Sequence, residues 1–398
     1  MFKRIVDSVI PPSGGQRFPA LDGFRACAAL GVVLLHSVVM YQWHPVLGNP
    51  IFHAAMWKLG AMAVSTFFVL SAFLLFYPVA AGKQFSTWTY FKRRIFRIMP
   101  AYLTLMLLAY ILLVSTRNHI HADAVITRLF FLSGLKREWG NILLDGTWSL
   151  APEVHFYVLL PLLILIVGRS FWRVGALVAL GLGLQFVMQS TDGSSNPADS
   201  PSMFLPFFFG MAAALAVAKF EKHGDKLAFL GPLGLLILYL YPLSPVFGLL
   251  DRYTYRPGFI AAMAQHQPLL PALKESLLIA LASPRGLWPA LGGGMAVVGL
   301  TAGRGFWAKL LSGRFIRALG ITSYGTFLFN WPIFFLLFHL SHHRAGIVML
   351  GIPLAVVFGI SSYLLVEAPA MRFVSRKSKP RVAPAPAPAP TGESQISG

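Results

Sequence analysis

Residues 21–41, LDGFRACAALGVVLLHSVVMY, are apolar except for Asp22, Arg25, His36 and Ser37. A helix of this length spans the hydrocarbon core of a bilayer. A charge or an imidazole at bilayer depth costs about 2.5–3.5 kcal/mol on insertion scales, so such a residue marks a site of use. Eleven positions separate Arg25 from His36. At helical geometry the two fall about 20° apart around the axis and roughly 16 Å apart along it. The stretch therefore predicts a first transmembrane helix with a cation near its mouth and an acid/base group at mid-membrane, on one polar face.

The rest of the chain extends this reading. Of 398 residues 56% are hydrophobic and 12% charged, and the mean hydropathy is +0.66. These values exclude an ordinary soluble domain and predict an all-α, multi-pass integral membrane protein. Apolar runs predict ten spans, near 24–42, 59–80, 99–116, 149–167, 174–190, 203–219, 227–248, 287–302, 319–340 and 346–366. The run 125–135 is too short to cross and carries Arg128, so it reads as interfacial or re-entrant. Lys3 and Arg4 are followed by Asp7, Pro11 and Pro12 rather than by an apolar core, so the first span is expected to act as an uncleaved anchor. The single cysteine, Cys27, excludes an intrachain disulfide and suggests no thiol metal cluster.

The formal net charge is +19. With ten spans and both termini cytoplasmic, most of the 33 Lys and Arg fall inside, as the positive-inside rule requires. The charge is thus read as topology and lipid anchoring, with no nucleic-acid partner expected. The expected organisation is a cytoplasmic segment 1–20, a transmembrane domain 21–373, and a tail 374–398. That tail is basic, then Ala-Pro-rich, and carries no chemistry.

Five further stretches carry polar residues into apolar surroundings. FFVLSAFLL (67–75) holds Ser71 and Ala72, small enough for close helix packing. YFKRRIFRIMPAYL (90–103) places Arg94 and Arg97 one helical turn apart. TWSLAPEVHFYVLLP (147–161) sets Glu153 near the start of a span, expected on the outer side, where the positive helix end favours a carboxylate. LGITSYGTFLFNWPIFF (319–335) carries Tyr324 and Asn330, and SSYLLVEAPAMRF (361–373) carries Glu367.

In this order the stretches resemble the acyltransferase-3 family of integral-membrane O-acyltransferases. Its Arg-x10-His pattern falls on Arg25 and His36, and its RxxR followed by Ile-x-Pro-x-Tyr on Arg94, Arg97, Ile98, Pro100 and Tyr102. WSLxxExxFYxxxP falls on Trp148, Ser149, Leu150, Glu153, Phe156, Tyr157 and Pro161. The closing elements fall on Ser323, Tyr324, Asn330, Pro332, Tyr363, Glu367 and Pro369. Two positions depart: the usual Ser-Gly is Ser71-Ala72, and a common late His is Asn330.

The resemblance implies transfer of an acyl group, often acetyl, from cytoplasmic acyl-CoA to a hydroxyl of a glycan, lipid-linked saccharide or similar acceptor. It implies the inner (cytoplasmic) membrane. Within that frame His36 is the expected base, since an unperturbed imidazole titrates near neutral pH. No Gly-x-Ser-x-Gly elbow or convincing cysteine nucleophile is present, which favours direct transfer over an acyl-enzyme. Arg94, Arg97 and Arg25 suit the donor's phosphates. Glu153 is expected to orient the acceptor or to pair with an arginine or His36. Trp148, Tyr157, Tyr324 and Asn330 are expected to contact substrate, and no metal is expected. The competing reading is a transporter or flippase of a polar substrate. It would require broken helices in two repeated halves, and the sequence shows no duplication.

Overall fold

The computed structural model describes residues 2–10, 18–41, 50–115, 122–132, 147–192, 203–221, 224–240, 274, 286–340 and 344–377. Among them every regular element is helical. In chain order they are α1 (Phe2–Val9), α2 (Pro19–Tyr41), α3 (Pro50–Ala80), α4 (Thr87–Ser115) and α5 (Ala122–Leu129). Next come α6 (Leu150–Val167), α7 (Phe171–Asp192), α8 (Phe204–Lys219), α9 (Leu230–Leu240) and α10 (Leu287–Thr301). The last are α11 (Gly305–Leu311), α12 (Arg314–Ile321), α13 (Ser323–Leu340), α14 (Arg344–Ser362) and α15 (Ala368–Lys377).

Among the described residues five helices are long and apolar enough to cross a membrane: Pro19–Ser37, Lys58–Ala80, Thr87–Ile111, Leu150–Val167 and Met349–Val374. Counting one bent pair gives six. Shorter apolar helices, Phe171–Val187, Phe204–Lys219 and Leu287–Thr301, fall on three more of the expected spans. The outward surface is apolar, with Leu165 80% and Trp172 91% exposed. Contiguous exposure of this kind suits hydrocarbon, not water.

Two of the expected spans differ in shape. The run 319–340 is not one rod: α12 and α13 meet at Thr322 with a 65° bend. The last span continues past residue 366 to Val374 through a π-turn, Tyr363–Glu367. Pro369 follows directly, and a proline crowds the carbonyl four residues before it, which explains a local widening. In the short segment after α4, Arg128 is buried rather than interfacial. Its guanidinium donates to Thr147 Oγ1 (3.3 Å), and its carbonyl accepts from Tyr102 OH (2.8 Å). The loop 249–285 except residue 274, His119, His121, His342, His343 and the tail beyond Lys377 lie outside the described residues.

Packing fixes where the polar residues meet. Stacked rings of Phe68, Phe207 and Phe156, with centroids 4.5 and 4.2 Å apart, tie α3, α8 and α6 together. A Cβ on Gly31 would meet Ala63 and one on Gly60 would meet Leu35, which sets the antiparallel register of α2 against α3. In this register Arg25 stands at the level of Val69, and His36 at the level of Leu59. At the other end Gly320 lies so close to the Asp22 carbonyl that a Cβ there would come within 1.7 Å. That approach draws α12 onto the first turn of α2. Helix α1 covers the same end, with Val6 and Val9 against Ala318 and Ile321, and with Asp7 paired to Arg314.

Candidate functional site

A cavity of about 340 Å³ opens between α2, α3, α4, α6 and α13. Arg25, Arg94, Arg97, Asp22, Glu153, Ser71, Tyr157, Ser323 and Tyr324 supply its polar wall, and Val64, Phe67, Phe68 and Phe327 part of its apolar wall. Three guanidiniums thus face two carboxylates, which leaves an excess of one positive charge.

Each carboxylate near the cavity is already engaged. Glu153 accepts from Ser71 Oγ at 2.6 Å and from Tyr157 OH. Asp22 lies 3.7 Å from Arg317, and the fully buried Glu367 lies 3.3 Å from Arg97. Two guanidiniums stack against rings: Arg94 over Tyr157 (5.9 Å) and Arg97 over Tyr324 (6.0 Å). Tyr324 OH donates to the Ile98 carbonyl (3.1 Å), and Tyr90 OH to the Tyr157 carbonyl (3.0 Å). Arg25 has no ion-pair partner among the described residues. Its charge is directed at the cavity.

His36 is not part of this wall. It is buried, and its Nδ1 is 2.6 Å from Asn330 Oδ1. The amide nitrogen of Asn330 donates to the carbonyls of Phe327 (2.5 Å) and Thr326 (3.4 Å), so its oxygen must face the imidazole. The ring proton therefore sits on Nδ1, and Nε2 keeps its lone pair. Trp331 packs edge-on against the ring, 5.0 Å between centroids. Of the residues lining the cavity, Val64 and Phe67 on α3 and Phe327 on α13 lie nearest along their helices to the level of His36. From Val64 to the level of His36 is about 7 Å of helix rise.

The structure thus brings together six residues singled out from the sequence: Arg25, Arg94, Arg97, Glu153, Tyr157 and Tyr324. It separates His36 and Asn330 from them. Asn330, expected to contact substrate, is spent on His36 and on backbone carbonyls. Trp148 packs against the core, while its neighbours Ser149 and Leu150 line the cavity. Glu153 shares the cavity with the three arginines. It meets Ser71, nine residues before the C-terminal end of α3, because α6 begins deep in the bundle. Ser71, read from sequence as a packing residue, is a hydrogen-bond donor to Glu153. Among the described residues no cluster of three or more His, Cys, Asp or Glu could hold a metal ion.

A family model for an acyltransferase domain matches residues 18–366. The chain belongs to the acyltransferase-3 family. The matched residues contain every group just described around the cavity except Glu367, together with His36 and Asn330. Among curated members it is similar to the O-acetyltransferase OatA of Staphylococcus aureus, 23% identical over 405 residues. That match covers 92% of this chain and 59% of OatA, so the chain spans about three fifths of that relative's length. It is also similar to the acyltransferase MdmB of Streptomyces mycarofaciens, 24% identical over 395 residues, covering 92% and 95% of the two chains. No solved structure shows a significant match. Membership of an acyltransferase family, together with several helices long and apolar enough to cross a membrane, points to a multi-pass membrane protein.

Proposed function

We propose that the chain transfers an acyl group, acetyl in the simplest case, from acyl-CoA to a hydroxyl of a glycan or lipid-linked saccharide. The observation that carries this reading is the arrangement of α2. Arg25 faces an arginine-lined cavity near one end, and His36, with Nε2 free, stands about 16 Å farther along the same helix. Arg25, Arg94 and Arg97 would hold the donor's phosphates. His36 Nε2 would take the acceptor's hydroxyl proton as its oxygen bonds to the thioester carbon. Cleavage of the C–S bond then releases the thiolate, which recovers the proton from the imidazolium. Glu153 fixes Ser71 and Tyr157 and balances the arginines, a positioning role. For donor and base to meet, the thioester must reach beyond the cavity's lining residues, among them Phe67 and Phe327, whose rings are 6.2 Å apart.

The distribution of Lys and Arg supports ten spans with both termini in the cytoplasm and the cavity opening on that side. The name of OatA supports acetyl as the group moved. The test is transfer of labelled acetyl from acetyl-CoA in membranes containing this chain, compared with His36→Ala at matched protein level. Label is expected in a glycan or lipid-linked fraction and is lost in the variant. Label transferred equally by both proteins removes His36 as the base, and no transfer from any acyl-CoA overturns the proposal.

A further inference from the structure

The break at Thr322 starts α13 at the cavity, which Ser323 and Tyr324 line. Thr322 N–H closes α12 on the Ala318 carbonyl (3.1 Å), and the next helical bond runs from Thr326 N–H to the Thr322 carbonyl (3.2 Å). The N–H groups of Ser323, Tyr324 and Gly325 fall between these two bonds, where a helix has no internal acceptors for them. A threonine at this position ordinarily caps such groups. Here the Thr322 hydroxyl points the other way, to the carbonyls of Ala318 (3.1 Å) and Leu319 (3.2 Å).

Ser323 adds an independent sign. It is 1% exposed, lines the cavity, and its Oγ is buried with no hydrogen-bond partner among the described residues. An unpaired buried hydroxyl is costly unless something occupies the space in front of it. Arg25, which has no ion-pair partner among the described residues, lines the same cavity, as does Arg97, whose guanidinium lies over the Tyr324 ring. The carboxylates that would repel an anion are engaged: Asp22 with Arg317, Glu153 with Ser71 and Tyr157.

We infer that Ser323 Oγ and the N-terminal turn of α13, with Arg25 of the same cavity, form a binding site for a phosphate group. The positive end of a helix, backbone donors and a guanidinium together match a phosphate's charge and its several acceptor oxygens. The assignment of that phosphate to acyl-CoA rests on the proposed function. A phospholipid headgroup would present the same chemistry.

The full chain in phosphatidylcholine nanodiscs tests this, with binding of CoA, inorganic pyrophosphate and phosphate-free pantetheine measured for wild type, Ser323→Ala and Ser323→Asp. Ser323→Ala is expected to weaken CoA and pyrophosphate by about tenfold through loss of a hydrogen bond to a charged group. Ser323→Asp should weaken both further, and pantetheine should bind all three proteins alike. Melting temperatures matched to wild type guard against misfolding, and Ser323→Ala, the smaller change, decides if Ser323→Asp fails to fold. Equal CoA binding by wild type and Ser323→Ala overturns the site while leaving the donor reading intact. Wild type that ignores CoA, yet binds pyrophosphate or phosphatidylglycerol-containing nanodiscs in a Ser323-dependent way, keeps the site and removes the donor. No phosphate probe bound by wild type overturns both.

Discussion

His36 and Asn330 form a pair 294 positions apart in sequence, with Nδ1–H of the imidazole donating to Oδ1 of the amide at 2.6 Å. The partner that fixes the tautomer is neutral, so the imidazole is oriented without gaining a nearby negative charge. Asn330→Leu removes the acceptor and frees the ring to rotate. Transfer is expected to fall between about tenfold and hundredfold, less than the roughly 10²–10⁴-fold a general base contributes, because the base is misoriented rather than removed. Donor KM should stay unchanged, because the cavity wall does not include either residue. Steady-state kinetics in membranes, with kcat and KM separated, checks this.

The Glu153 cluster predicts a split of opposite sign. Glu153→Gln keeps an acceptor for Ser71 and Tyr157 while removing one of two cavity carboxylates. Phosphate binding should tighten as the local charge becomes more positive. Donor KM is expected to fall, and kcat to fall with it through lost positioning. A variant in which both are unchanged removes Glu153 from the site.

The Arg97–Glu367 pair, at 3.3 Å, joins a partly exposed guanidinium to a fully buried carboxylate. Arg97→Ala strands that carboxylate, and breaking a buried pair from one side costs about 3–5 kcal/mol. Glu367→Gln leaves Arg97 with access to the cavity and should cost less. Melting temperatures of the two variants in one detergent give the order.

Gly320 sets the closest approach between α12 and α2. A methyl group there would come within 1.7 Å of the Asp22 carbonyl, whereas one on Gly175 would meet nothing within 4 Å. Gly320→Ala is expected to lower stability sharply and to disturb the Asp22–Arg317 pair. Gly175→Ala should be neutral or slightly stabilising, since alanine favours helix over glycine by about 1 kcal/mol. Comparison of folded yield and melting temperature tests both.

What could be read in the chain was what helical period alone encodes. Arg25 and His36 share a polar face on one helix, and Arg94 and Arg97 lie a turn apart, so spacing sufficed. The meeting of Glu153 with Ser71 was not legible, because it depends on how α6 packs against α3. Asn330 carries no local mark distinguishing a substrate contact from a partner of His36; that depends on the crossing of α2 and α13. The break at Thr322 has no proline to announce it, since LGITSYG reads as a continuous apolar run. It arises where α12 is drawn onto Asp22 through Gly320, a contact between distant parts of the chain.

Phe67 and Phe327 have a further consequence at the scale of the cell. A membrane that stores energy as an ion gradient must remain an insulator, yet a polar cavity lined by arginines is a conducting defect if it is continuous from side to side. The two rings are part of that cavity's apolar lining, and the imidazole is not among its lining residues. A pocket that stops among apolar side chains lets a protein carry buried charge without opening the bilayer to ions.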